Sequence, residues 1–220
     1  MRLFNDSFKI MGYLKSKIPG RKDEKNADYY YTEAIKFNKY DFDSKIEYAN
    51  VLVEGSKLKA LKLLEEAEKI QLTFGQEVKP ELLNNIAVFY LENDEIKACQ
   101  QKLEKCLAVL ENMKYGSEEE EVRVKGLELI VRFNYGICME RKGHWYTAKN
   151  IYEKILVSNR YYMDAVLRLA WVWYNLGSFG KMVETLQGLD KDGDSYRRVI
   201  RPERFITPKA YLLHIAGSSS

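Results

Sequence analysis

Residues 148–156 read Ala148-Lys149-Asn150-Ile151-Tyr152-Glu153-Lys154-Ile155-Leu156, and Gly136 stands twelve positions ahead of them. In this stretch a small residue, Ala148, is followed at +4 by Tyr152 and at +7 by Ile155, offsets that share one face of a helix. The same triad occurs four more times: Ala27-Tyr31-Ala34, Ala60-Leu64-Ala67, Cys99-Leu103-Cys106 and Met182-Leu186-Leu189. The first members step by 33, 39, 49 and 34 positions. A return near 34 residues is the period of a helix–turn–helix repeat array, so the chain is expected to offer a binding surface rather than an active site.

Each triad marks the second helix of a repeat, helix B. A first helix, helix A, is expected just upstream, with a small residue where the two cross. Ala49 precedes its triad by 11 positions, and Ala87, Gly136 and Ala170 precede theirs by 12. Gly136 to Ala170 is again 34, so the last two repeats are in register. The turns between A and B carry helix-stopping residues: Glu54-Gly55-Ser56, Glu92-Asn93-Asp94, Lys142-Gly143-His144 and Leu176-Gly177-Ser178. The first repeat is blurred. Its helix A is expected within Ser7–Lys17, ended by Ile18-Pro19-Gly20, so that 1–26 is a degenerate first helix and linker. The long third-to-fourth step predicts a helix B running to about Lys114, a break at Tyr115-Gly116-Ser117, and a lengthened helix A from Glu118. Ser117 is placed to cap that helix, and Glu118, Glu119 and Glu120 suit its positive end. The array is expected over 27–189. A tail over 190–220 follows, with a capping helix near Lys209–Ile215 and a disordered end.

The 220 residues are 46% apolar and 30% charged, a balance that folds. A net charge of +3 does not by itself call for nucleic acid, and no apolar run approaches the ~18 residues of a membrane span. The basic tail residues Arg197, Arg198, Arg201 and Arg204 lie beside Glu203 and aspartates and read as solvated surface. Cys99, Cys106 and Cys138 have no CxxC spacing, and two of them fill triad positions. They read as buried free thiols in a reducing compartment. Asp190-Lys191-Asp192-Gly193-Asp194 opens like a calcium loop, but Ser195 stands where glycine makes the turn and Arg201 where a bidentate Glu closes the site. No cofactor or metal is expected. His144 and His214 have no Cys or Asp at motif spacing, and no glycine-rich phosphate loop is present, so no enzyme is expected.

The triads and their Gly/Ala crossing points resemble tetratricopeptide repeats over Ala27–Leu189, which implies an all-α right-handed solenoid of about five helix pairs. A narrower resemblance rests on Lys36-Phe37-Asn38-Lys39-Tyr40-Asp41, Lys79-Pro80-Glu81-Leu82-Leu83-Asn84-Asn85-Ile86-Ala87, Arg132-Phe133-Asn134-Tyr135-Gly136 and Tyr162-Met163-Asp164-Ala165-Val166-Leu167-Arg168-Leu169-Ala170, and on the long insertion among them. Their order is similar to the central repeats of the tetratricopeptide scaffold subunit of the RNA polymerase II-associated factor complex. That resemblance implies a nuclear scaffold in transcription elongation and chromatin modification, with other protein subunits as partners. A chaperone-linked or generic peptide-binding adaptor, nuclear or cytoplasmic, is the alternative.

In such repeats helix A faces the groove. A two-carboxylate clamp would need lysines where Asn84 and Asp164 stand, and cations where Ile46 and Ile130 stand; of its cationic places only that of Arg168 is filled. Asn50, Asn85 and Asn134 recur in the second to fourth repeats. An Asn both donates and accepts, so Asn85 and Asn134 are candidates to hold an extended partner segment, with Trp171 and Tyr174 supplying apolar contact. Equally, each Asn would serve by bonding a neighbouring helix inside the array. The first reading predicts that Asn85→Ala with Asn134→Ala weakens partner binding and leaves melting intact.

Overall fold

The computed structural model describes residues 2–17, 26–53 and 55–187. Over these the chain forms ten helices and no strand: α1 (Arg2–Lys17), α2 (Ala27–Phe37), α3 (Phe42–Leu52), α4 (Lys57–Thr73), α5 (Pro80–Glu92), α6 (Ile96–Asn112), α7 (Glu118–Arg141), α8 (Trp145–Ser158), α9 (Met163–Asn175) and α10 (Phe179–Gln187). Helices A and B alternate in chain order as the period requires. α1 begins at Arg2, five residues before the expected start, and α6 ends two residues before Lys114.

The helix starts follow from local chemistry. Asn26 Oδ1 accepts from the Tyr29 amide at 3.1 Å, Asp41 Oδ1 from the Ser44 amide at 3.2 Å, and Ser117 Oγ from the Glu120 amide at 3.2 Å. Each such cap contributes about 1 kcal/mol. Glu120 reaches back in turn and accepts from the Gly116 amide at 2.9 Å. Pro80 opens α5, where its missing N–H costs nothing.

Three A-to-B turns share one geometry. The Glu95 amide donates to the Tyr90 carbonyl at 2.8 Å, His144 to Met139 at 2.9 Å and Ser178 to Trp173 at 2.9 Å. These six-to-one bonds close a Schellman turn, which needs a left-handed residue just before the donor. Gly143 and Gly177 supply it at φ 74° and 71°, and Asp94 takes the same place at φ 63°.

The chain divides into two compact units between Phe89 and Tyr90, inside α5. In the first, α1 lies along α2, α3 along α4, and α2 touches α3. In the second, α6 lies against α7, α7 against α8, α8 against α9 and α9 against α10. Contacts run between helices adjacent or next-adjacent in sequence, α1 also touching α3, as in repeat arrays.

The triads form the core. Tyr31 and Ala34, Ala60, Leu64 and Ala67, all of Cys99-Leu103-Cys106, and all of Ala148-Tyr152-Ile155 are buried. The large central residue of a triad fits because the facing residue is small. A methyl carbon on Gly136 would stand 2.6 Å from the Tyr152 ring, and one on Gly12 in α1 would stand 2.9 Å from the Tyr31 ring. Gly12 is therefore the crossing residue of the first repeat. The last triad differs: Met182 and Leu186 are half-buried, α10 has no buried residue, and Val183 is exposed. Among the described residues, α9 is the one helix packed on α10. Leu189, the Ile18–Lys25 link, the 190–220 tail with its calcium-like opening and arginines, and His214 lie outside the described residues.

Candidate partner-binding site

The expected site residues all fall on A helices: Asn50 on α3, Asn84 and Asn85 on α5, Asn134 on α7, and Arg168, Trp171 and Tyr174 on α9. Asn50, Asn84 and Asn85 belong to the first unit and the other four to the second. Asn50 is half-buried. Asn84 and Asn134 are fully buried and Asn85 is 3% exposed, with Asn84 Nδ2 donating to Asn85 Oδ1 at 3.3 Å. Truncating an amide at such a depth removes internal hydrogen bonding, so it costs stability as well as any contact with a partner. The double alanine variant expected to leave melting intact should therefore lower it.

Arg168 is 4% exposed, and its guanidinium is committed inside the second unit. Its Nε donates to Glu140 Oε1 at 3.0 Å, and Nη2 pairs with Glu140 Oε2. The Tyr152 hydroxyl donates to the same Oε1 at 2.5 Å. Burial, together with the Glu140 charge, pushes the Tyr152 phenol well above its ordinary range, so it remains a donor. One carboxylate thus joins α7, α8 and α9. Glu140 was not singled out from the sequence. The signal was Arg168 itself, since a guanidinium on an apolar helix face requires a carboxylate across from it.

Beside the buried Arg168 lies an aromatic platform. Its guanidinium carbon lies 6.0 Å from the Trp171 ring centre. Trp171 stacks on Tyr174 with centroids 5.5 Å apart and planes at 17°, and Tyr174 meets Phe179 edge-on at 5.7 Å. Tyr174 is 50% exposed and Phe179 57%. On α8 and α10, Lys149 and Lys181 approach the buried Trp173 at 5.5 and 4.5 Å from its ring centre. The second unit therefore displays a three-ring aromatic ladder with the Arg168 guanidinium beside it, while the two lysines lie against the separate, buried Trp173. Phe179, Lys149 and Lys181 escaped the sequence reading because they lie on B helices, which that reading treated only as core.

In the first unit a polar cluster ties three helices. Lys59 on α4 pairs with Asp28 on α2 at 2.8 Å, and both bond the Tyr48 hydroxyl on α3. Lys59 first, and Tyr48 with it, hold the Asp28 carboxyl below its usual range.

Among the described residues no group of three His, Cys, Asp or Glu side chains is placed to hold a metal ion. No described helix is long and apolar enough to cross a membrane.

No family model matches the chain. The RNA polymerase-associated protein CTR9 of Caenorhabditis elegans is 24% identical over 180 residues, which is 76% of this chain and 16% of that protein. Among solved structures, MamA superposes with a TM-score of 0.69 at 14% identity, covering 91% of this chain and 98% of that one. YrrB, described as a TPR protein with an unusual peptide-binding site, gives a TM-score of 0.62 at 14% identity over 81% of this chain and 82% of its own. Helix order, triad burial and these superpositions agree: the chain has the all-α fold of the tetratricopeptide-repeat solenoids.

Proposed function

We propose that this chain is a non-catalytic scaffold for other protein subunits, working in the nucleus as a part of an RNA polymerase II-associated transcription elongation complex. The observation that carries the reading is the alignment with the polymerase-associated relative, which runs through most of the repeats rather than through one of them. The chain spans 16% of that relative's length. The Trp171–Tyr174–Phe179 ladder is the surface assigned to partner contact, because exposed aromatic anchors dominate protein recognition. Asn134, buried in the same unit, acts with it by fixing α7 from within.

The test is affinity purification of the full chain from nuclear and cytosolic extracts, alongside Trp171→Ala/Tyr174→Ala. Recovery of elongation-complex subunits by the parent chain, reduced tenfold or more in the variant, supports the reading. Recovery of chaperones, or of acidic C-terminal peptides, supports the peptide-adaptor alternative and removes the elongation assignment.

A further inference from the structure

Three B helices meet the A helix that follows them in the same way, through the residue just after the first member of the triad. Asp28 on α2 accepts from the Tyr48 hydroxyl on α3. Gln100 on α6 accepts at 2.6 Å from Lys142, which caps the end of α7. Lys149 on α8 stands 5.5 Å from the centre of the Trp173 ring on α9. On α10 this place belongs to Val183, and no described helix follows α10 to meet it. Val183 is 44% exposed, and Phe179, one turn before it, is exposed as well. Met182 and Leu186 are half-buried, where their counterparts in α8, Ala148 and Tyr152, are fully buried. α8 lies against both α7 and α9, whereas α10 packs on α9. The open side of α10 is thus the side that a following A helix covers.

The receiving side of an A helix is equally recognisable. Two positions after the crossing residue, Cys138 of α7 and Val172 of α9 are fully buried. The Cys138 thiol faces the preceding B helix, donating to the Ile96 carbonyl of α6 at 3.7 Å. Just before the crossing residue, Tyr48 of α3 and Leu169 of α9 are buried. In α1 the crossing residue is Gly12, so these two places hold Leu14 and Met11. No described helix precedes α1 to cover them. Leu14 is 45% exposed, and Met11 is exposed with it. Ile10, one turn before Leu14 on the same face, is exposed too, although its counterparts Asn134 and Arg168 are buried.

We propose that the open face of α10 receives α1 of a second copy, so that chains join head to tail. Each face supplies what the other lacks. α10 is a B helix without a following A helix, and α1 is an A helix whose receiving residues are all exposed. Val183 and Phe179 of one copy then lie against Leu14, Met11 and Ile10 of the next, and the apolar surface of both leaves water. The alternation of A and B helices continues across the join. Because the two faces differ, the contact is heterologous: it leaves one α1 and one α10 free and repeats with each added copy. It uses neither Trp171 nor Tyr174, so it stands or falls apart from the assignment of the aromatic ladder to another subunit.

The full chain is followed by sedimentation velocity across a range of concentrations, with Leu14→Asp and Val183→Asp alongside. The parent should form species heavier than one chain, in amounts that grow with concentration. A carboxylate buried in the join should weaken it tenfold or more, so each variant alone should remain a single chain where the parent associates. Leu14→Asp keeps its α10 face and Val183→Asp its α1 face. An equal mixture of the two should therefore form a dimer of one of each, and no larger species. A parent that stays a single chain at every concentration overturns the proposal, including where its own tail covers α10. Association that survives in either variant alone also overturns it, as does a mixture that fails to pair. Both positions are exposed, and circular dichroism checks that both variants are folded; Ile10→Asp and Val183→Lys take their places where one is not.

Discussion

Replacing Gly136 by alanine adds one methyl group to the middle of α7. That methyl would stand 2.6 Å from two carbons of the Tyr152 ring and 2.9 Å from its hydroxyl oxygen. The ring has nowhere to retreat. It is fully buried, lies against Phe133 with centroids 5.8 Å apart, and is tied to Glu140 at 2.5 Å. Overpacking a rigid site costs about 1–3 kcal/mol. Shifting the ring lengthens a hydrogen bond to a charged group, worth about 1.5–3 kcal/mol. Against this, alanine is the better helix former by about 1 kcal/mol. The balance is a loss of ~3 kcal/mol. The same helix carries an internal control: Gly126 has open space where its methyl would go, so Gly126→Ala should gain about 1 kcal/mol from propensity alone. Urea unfolding followed by circular dichroism, with m held common, reads both shifts. With Tyr152→Ala as background, Gly136→Ala should become neutral or stabilising, because the clash has gone. If Gly136→Ala and Gly126→Ala move the midpoint in the same direction in the parent chain, the crossing-residue argument is refuted.

Glu140→Ala leaves the Arg168 charge buried without its carboxylate and should cost about 3–5 kcal/mol, whereas replacing both residues by leucine together with Tyr152→Phe, which removes the hydroxyl that Glu140 accepts from, should recover most of the loss; thermal melts of the three chains check this. The Asp41 carboxyl is opposed by burial, yet the Ser44 hydroxyl and amide, Asn5 and Lys9 together hold it below its ordinary value of 3.8. Its folded value is depressed, so its contribution is fully present above the unfolded value and lost as pH falls through the folded one. Stability measured from about pH 5 to about pH 2 should therefore fall more steeply in the parent chain than in Asp41→Asn; parallel curves would show that the carboxylate is not engaged.

The repeat register was legible because it rests on residue size at fixed offsets. Ala60, Ala67, Ala87, Ala148 and Ala170 are small for a steric reason that survives any rearrangement of the surface. Gly12 escaped notice because it stands 15 positions before Ala27, outside the 11–12 spacing of the later repeats. The Ser117 cap was legible because a hydroxyl followed three positions on by glutamate is a local signal. The site was less legible. Arg168 reads from its sequence position as a groove cation, but whether a guanidinium faces a ligand or a carboxylate depends on a residue 28 positions away, Glu140. Asn84, Asn85 and Asn134 pose the same difficulty, since helix register locates a side chain on a face without saying how deep that face lies. The ladder was half legible: Trp171 and Tyr174 share a helix, whereas Phe179 joins them only across a turn.

α7 has 24 residues, where α5 and α9, the A helices before and after it, have 13 each. The excess of 11 residues is close to three whole helical turns. Length added in whole turns returns every downstream side chain to the bearing it would otherwise have had, so residues from Phe133 onward meet α8 as they would in a helix of ordinary length. A lineage carrying this chain could extend or trim the start of α7 by complete turns and alter how far that end reaches, while Gly136 still finds Tyr152. A change of half a turn would face the glycine the wrong way. Tolerance to insertion at this point is thus discrete, and the lengths that relatives adopt here should cluster at multiples of a turn.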